Sequence, residues 1–374
     1  MNSRERYLET LRFGTPNRIP FEPGNPREKT LRRWHSEGLP DTRDWYEFLC
    51  ETLSTQPGPL AGWPQAGISF RMHPTFEEKV LEHRDGHLIV QDWMGNITEI
   101  ADEYDVTYLR EPKDFVTRKW HKFPVASRAD FEEMTKRYRP HDPVRYPDDF
   151  EARVKVLRGR TYVSKVSVPG PFWQLREWCG FEPLCMLLIE DLEFVREMTE
   201  FWAEFVSKVM ARALEAGIVD VIAISEDMAY KEKSMISPAM TREFLLPVWK
   251  RWATEARQAG VVLVDMDSDG KVAELIPIWI EAGINVCDPV EVAAGNDLVA
   301  YRRLFGRKIG YRQGTDKRCI ARGGQSMVAE IERIAPVVRD GGYIPGCDHG
   351  VPNDVSWSDF FRYSRHLAEL TGWL

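Results

Sequence analysis

Val261-Val262-Leu263-Val264-Asp265-Met266-Asp267-Ser268-Asp269-Gly270 is an apolar run that ends in three alternate aspartates and a glycine. Read as a strand over 261–267, it sends residues two apart to the same side. Asp265, Asp267 and Asp269 then project together unless the chain turns at Ser268. Crowded carboxylates repel, and burying them without partners is costly. The cluster calls for a cation, a basic ligand or water.

Around this run the chain alternates short apolar strands with helices. Strands are expected over 162–168, 219–224, 284–288, 308–314 and 343–345. Helices are expected over 172–178, 191–216, 237–258, 271–282, 296–304, 325–339 and 357–370. Ser237-Pro238 is an N-cap with proline at the first turn, and Gly217 ends its helix at the position that favours glycine. This rhythm implies a parallel sheet with helices outside it. With 18–21 as a first strand, the units fit a closed (β/α)8 barrel of the TIM type, an α/β fold. No G-x-G-x-x-G follows any strand, so an open dinucleotide-binding sheet has no support.

The first third has a different texture. A helix is expected over 3–14, with Ser3 as its N-cap. Asp85-Gly86 sits between two β-prone runs, the signature of a tight hairpin turn, and 97–101 continues the ribbon. The expectation is a single barrel domain over 1–374, with an antiparallel β-ribbon and loop region inserted at about 68–120. That insert either covers the barrel mouth or builds a homodimer contact.

A formal charge of −8 and the lack of any long Lys/Arg block argue against nucleic acid as a partner. No apolar run is long enough for a membrane span, and MNSRERYLETLRFG has no apolar segment of the kind a signal peptide needs. The cysteines are scattered with no C-x-x-C pair, as reduced thiols of a cytoplasmic protein would be.

In such barrels chemistry sits at the C-terminal ends of the strands. The residues there include Glu22, Glu226, Asp227, Asp265, Asp267, Asp269, Asp288, Glu291, Arg312, Lys317, Arg318, Cys347, Asp348 and His349. Helix capping is the competing role for any one of these acids, and Asp269 is the best cap candidate. Pairing with nearby acids is the competing role for Arg312, Lys317 and Arg318.

Several segments in order resemble the uroporphyrinogen decarboxylase superfamily. They are Ser3-Arg4-Glu5-Arg6 through Pro16-Asn17-Arg18-Ile19-Pro20, Glu226-Asp227-Met228-Ala229-Tyr230, Ser268-Asp269-Gly270, Asp288-Pro289-Val290-Glu291, Asp316-Lys317-Arg318 and Asp348-His349-Gly350-Val351-Pro352. The resemblance runs nearly end to end and implies the same barrel. True decarboxylases of this family carry R-Q-A-G-R after the first strand to bind propionates. Here the stretch is Phe21-Glu22-Pro23-Gly24-Asn25-Pro26-Arg27, and Glu22 has the wrong sign for a polyanionic porphyrinogen.

The sequence is closer to the family's corrinoid-linked methyltransferase branch, which holds zinc with H-x-C and a distant cysteine. That place is filled here by Asp267-Ser268-Asp269, with His349, or Cys347 in another register, at the distant position. The resemblance thus implies a divalent metal, zinc or a harder ion, on Asp267, Asp269 and His349. A corrinoid would arrive on a partner protein. Glu226, Asp267 and His349 are the catalytic candidates; Arg312, Lys317, Glu22 and Trp173 are the candidates for binding a small substrate. The expected activity is methyl transfer from a methoxylated or methylated small molecule. The alternatives are a decarboxylase or lyase acting on a small anion, and a ligand-binding barrel without catalysis.

Overall fold

The computed structural model describes residues 1–56, 65–110 and 116–374. Two sheets organise it. The first is antiparallel, in the order β1 (Lys79–Arg84), β2 (His87–Gln91), β3 (Ile97–Ala101), β4 (Lys119–Lys122). Its first turn is the expected one: Asp85 and Gly86 both take left-handed backbone, with φ of 51° and 75°, as a primed hairpin turn requires.

The second sheet holds β5 (Lys165–Pro169), β6 (Val221–Ser225), β7 (Leu263–Asp267), β8 (Val286–Asp288), β9 (Gly310–Arg312) and β10 (Tyr343–Ile344). They lie side by side in sequence order, and every pairing is parallel. Helices join them, so the α/β alternation expected from the sequence is present. The strands are short, of two to five residues, and mostly buried.

The closed eight-stranded barrel is not formed among the described residues. The segment 18–21, expected as the first strand, carries no strand pairing, and Pro20 and Pro23 lack the N–H groups a ladder needs. Instead it is pinned beside β10 by separate bonds. Cys347 N–H donates to the Pro23 carbonyl at 3.0 Å, Ile19 N–H to the Thr371 carbonyl at 3.1 Å, and the Trp373 indole to the Ile19 carbonyl at 2.8 Å. On the far edge, the Lys165 N–H donates to the Gln65 side chain at 3.0 Å.

The core is layered. Tyr7 and Leu11, from the helix Ser3–Leu11, pack with Val163, Val221, Leu263, Val286 and Ile344. That helix is capped by Asn2 rather than Ser3, with a complete capping box to Glu5. On the opposite face of the strands, Ile222, Ile224, Val264 and Met266 pack against the helices with Trp202, Trp249, Trp252 and Trp279. No disulfide joins the six cysteines. No described helix is long and apolar enough to cross a membrane.

Candidate functional site

Strand alternation puts Asp265 and Asp267 on one face of β7, with Val264 and Met266 on the other. Asp265 is fully buried and meets Arg312, whose Nη1 lies 3.1 Å from its Oδ2. The same Nη1 bonds Asp288, and Nη2 bonds Glu22 at 3.0 Å. One guanidinium at the end of β9 thus gathers a carboxylate from each of three segments. Burial would raise Glu22, but Arg312 and Lys165 outweigh it and hold Glu22 below its usual range. Asp288 is pushed by burial up to about 6, against the pull of Arg312.

Asp267 is one step nearer the mouth. Water reaches it, yet protein fills most of the space around it. That enclosure, with Asp288, Asp269 and Asp265 nearby, pushes its carboxyl up to about 7. Ser225 at the end of β6 donates to Asp267 Oδ2 at 3.0 Å. Asp267 is therefore partly protonated at neutral pH and has a hydroxyl beside it to relay a proton.

Glu226 follows Ser225 but sits elsewhere. It is fully buried, and its two oxygens accept from the Trp249 indole at 2.6 Å and the Trp173 backbone N–H at 3.0 Å. A Cβ on Gly170 would fall 2.1 Å from its carboxyl carbon, so only glycine fits there. Burial pushes Glu226 up to about 8 against these two hydrogen bonds. It anchors the start of the helix Pro171–Cys179, and so positions Trp173.

Beyond β7 the loops are stapled in series. Lys271 N–H donates to the Tyr230 carbonyl at 2.9 Å, and Gly270 N–H to Glu291 at 3.0 Å. Glu291 also takes Lys317 Nζ at 3.1 Å. Asp348 accepts from the backbone N–H groups of Lys317, at 3.1 Å, and Ala293, at 3.2 Å. Arg318 is held by Asp316. Arg312, Lys317 and Arg318 are therefore each paired with an acid.

Asp269 does not cap the next helix, which begins only at Ile276. It meets His349 instead, Nε2 to Oδ2 at 3.1 Å, and this contact raises the imidazole's pKa. Arg27 Nη2 lies 3.2 Å from His349 Nδ1. A guanidinium only donates, so Nδ1 accepts and Nε2 carries the proton shared with Asp269.

These positions do not fit the expected metal. Among the described residues no three His, Cys, Asp or Glu side chains are grouped to hold an ion. Asp267 is turned to Ser225, and both His349 nitrogens are engaged. Cys347 is fully buried, and burial beside Asp348 pushes its thiol up to about 12, so it is no thiolate. The set Asp267, Asp269 and His349, with Cys347 as substitute, is not assembled as a ligand set.

A large hollow lies on the other side of the mouth. A cavity of about 1060 Å3 opens between the C-terminal ends of β5 and β6 and the antiparallel sheet. Phe70, Trp93, Trp120, Phe123 and Trp173 line it with Ser225 and Asp227. Hence the insert covers this side of the mouth. Asp227 takes left-handed backbone, φ 43°, and Arg176 holds it there by bonding its carbonyl at 2.8 Å. Of the residues expected at the site, Trp173 and the strand-end Asp227 line this cavity; Asp267 is one hydrogen bond away, through Ser225. The wall residues Arg71, Arg118 and Arg176 were missed. Their sequence signal was the interleaving of arginine with aromatics in Phe70-Arg71, Arg118-Lys119-Trp120 and Trp173 to Arg176.

No family model matches the sequence, and no curated protein matches it. Among solved structures the chain is similar to the methyltransferase from Methanosarcina mazei. The match covers 100% of this chain and 98% of that one, with a TM-score of 0.61 at 12% identity. A B12-independent methionine synthase from Shewanella sp. W3-18-1, in complex with selenomethionine, matches 59% of this chain and 65% of its own at 11% identity. Its TM-score of 0.38 is too low to bear on the fold. The fold is thus shared end to end with that solved structure.

Proposed function

We propose that this chain is an enzyme that removes a methyl group from a methoxylated or methylated small molecule held in the aromatic cavity. The methyl acceptor is a corrinoid presented by a partner protein, which supplies the nucleophile. The observation that carries this reading is the link from cavity to stored proton, Ser225 to Asp267. When the bond from methyl carbon to oxygen breaks, its electron pair stays on oxygen. The Ser225 hydroxyl gives that oxygen a proton and recovers one from Asp267. The demethylated product leaves as an alcohol or phenol. Trp173 holds the ring, and Glu226 holds Trp173. The fold shared with a methyltransferase supports the reading without fixing a substrate.

Mixing the protein anaerobically with cob(I)alamin and a panel of methoxylated aromatic acids tests it. The cob(I)alamin absorbance is expected to decay in a substrate-dependent way, and this is lost in Asp267→Asn. No decay with any member of the panel counts against methyl transfer. A second reading has one observation in its favour: the partly protonated Asp267 carboxyl lies one hydrogen bond from the cavity, through Ser225. Such an acid suits a lyase that protonates carbon after CO2 departs, and CO2 release from the same panel identifies it.

A further inference from the structure

The arginines around the cavity fall into two kinds. Arg176 is spoken for, since it bonds the carbonyl of Asp227 and lies 3.4 Å from its carboxylate. Arg71 and Arg118 are not. Among the described residues neither guanidinium makes a hydrogen bond or an ion pair. Each lies over a tryptophan of the cavity wall instead: Arg71 is 5.2 Å from the Trp93 ring centre and Arg118 is 5.6 Å from that of Trp120. A guanidinium placed over an indole keeps N–H groups to donate, and their fork matches the two oxygens of a carboxylate.

The rest of the wall agrees. It is dominated by apolar and aromatic side chains, and its Trp93 indole N–H is buried with no partner among the described residues. Glu177 also lines the cavity, with one buried oxygen unpartnered. Burial pushes this carboxyl up to about 7, so near neutrality it is partly protonated and opposes an anion less than a free carboxylate would. Two unpaired cations beside stacked rings, facing a hollow of this size, describe a complementary ligand: flat, apolar over most of its surface and anionic at one edge.

We propose that this cavity seats an aromatic carboxylate, with Arg71 and Arg118 receiving its carboxylate and Trp93, Trp120 and Trp173 its ring. This names a substrate class and rests on the reading that the cavity is the substrate site. Its test is binding rather than turnover, so the two can fail separately.

The probe is 3,4-dimethoxybenzoate, titrated calorimetrically against its neutral amide. The acid is expected to bind at least about tenfold more tightly than the amide. Arg118→Gln and Arg71→Gln should each weaken the acid about tenfold and leave the amide unchanged. The exposed Arg196, paired with Glu243 outside the cavity, is the control, and Arg196→Gln should bind as the parent does. Unfolding midpoints of all three variants show whether the fold is intact. Equal affinity for acid and amide overturns the proposal. So does an acid affinity that ignores both cavity arginines, and so does a folded parent protein that binds neither probe. Selective binding of the acid without methyl transfer to cob(I)alamin supports the seat and overturns only the methyl-transfer reading.

Discussion

The two halves of the mouth of the parallel sheet are built on opposite plans. At β7 to β10 each basic residue on the mouth that the sequence singles out is matched: Arg312 with three carboxylates, Lys317 with Glu291, Arg318 with Asp316, His349 with Asp269. At β5 and β6 there is a hollow walled by aromatic rings, with two arginines left unpaired among the described residues. Matched charge holds a structure together; unmatched charge beside empty space is available to a ligand. The partners of the ionisable residues, rather than their density, tell the two halves apart.

The largest expected effect is on stability. Arg312→Met leaves Asp265, Asp288 and Glu22 buried without their shared cation. It should cost about 3–5 kcal/mol, read by urea unfolding. Arg118→Met in the hollow half should change stability by less than about 1 kcal/mol. Similar losses in both would erase the distinction between the halves.

The next effect is on rate. Asp267→Asn removes the proton store and should lower kcat/KM by about 100-fold. Asp267 donates only when protonated, so the parent's rate should fall as pH rises through about 7, while the variant's profile stays flat there. The sign for stability runs the same way. A carboxyl raised in the folded state favours folding fully below its unfolded pKa, here the ordinary 3.8, and that contribution is lost as pH climbs towards about 7.

A smaller effect separates the halves by affinity. Trp173→Ala should weaken 3,4-dimethoxybenzoate up to about tenfold, a loss of about 1.4 kcal/mol, whereas Lys317→Met across the mouth should leave it unchanged. Calorimetric titration distinguishes them. Smallest of all, Gly86→Ala tests the hairpin far from either half. A Cβ there meets nothing within 4 Å, so only the left-handed backbone, φ 75°, resists it. The cost should be about 1 kcal/mol or less in thermal unfolding, with no change in ligand binding.

Much of this architecture is written in local patterns. The alternation of β7 put Asp265 and Asp267 on one side of the strand, as they are, and Asp265 pairs there with Arg312. Asp85-Gly86 announced its turn, and strand–helix alternation announced the parallel sheet. What was illegible depended on partners distant in sequence. Lys119-Trp120-His121-Lys122 has no apolar alternation, so β4 is a strand only because β3 pairs with it. Residues 18–21 looked like a strand, yet their neighbours come from residues 347–373 and supply isolated bonds instead of a ladder. Glu226 looked catalytic from its strand-end position. Which way its carboxyl faces is decided by Gly170 and Trp249, from two other segments. Arg71 and Arg118 lie away from the C-terminal strand ends of the parallel sheet, and only their interleaving with aromatics reports them.

The loop after β6 and the loop after β7 are tied to each other across the boundary between the two halves. A Cβ on Gly270 would lie 2.5 Å from the Ala229 carbonyl. Beside that contact, Met228 N–H bonds the Ser268 hydroxyl at 3.0 Å and Ser234 N–H bonds Glu274 at 2.9 Å. The loops after β6 and β7 thus share so many bonds that neither can lift alone. In hydrogen exchange the amides of Met228, Ser234 and Lys271 should report a single opening event with one common free energy.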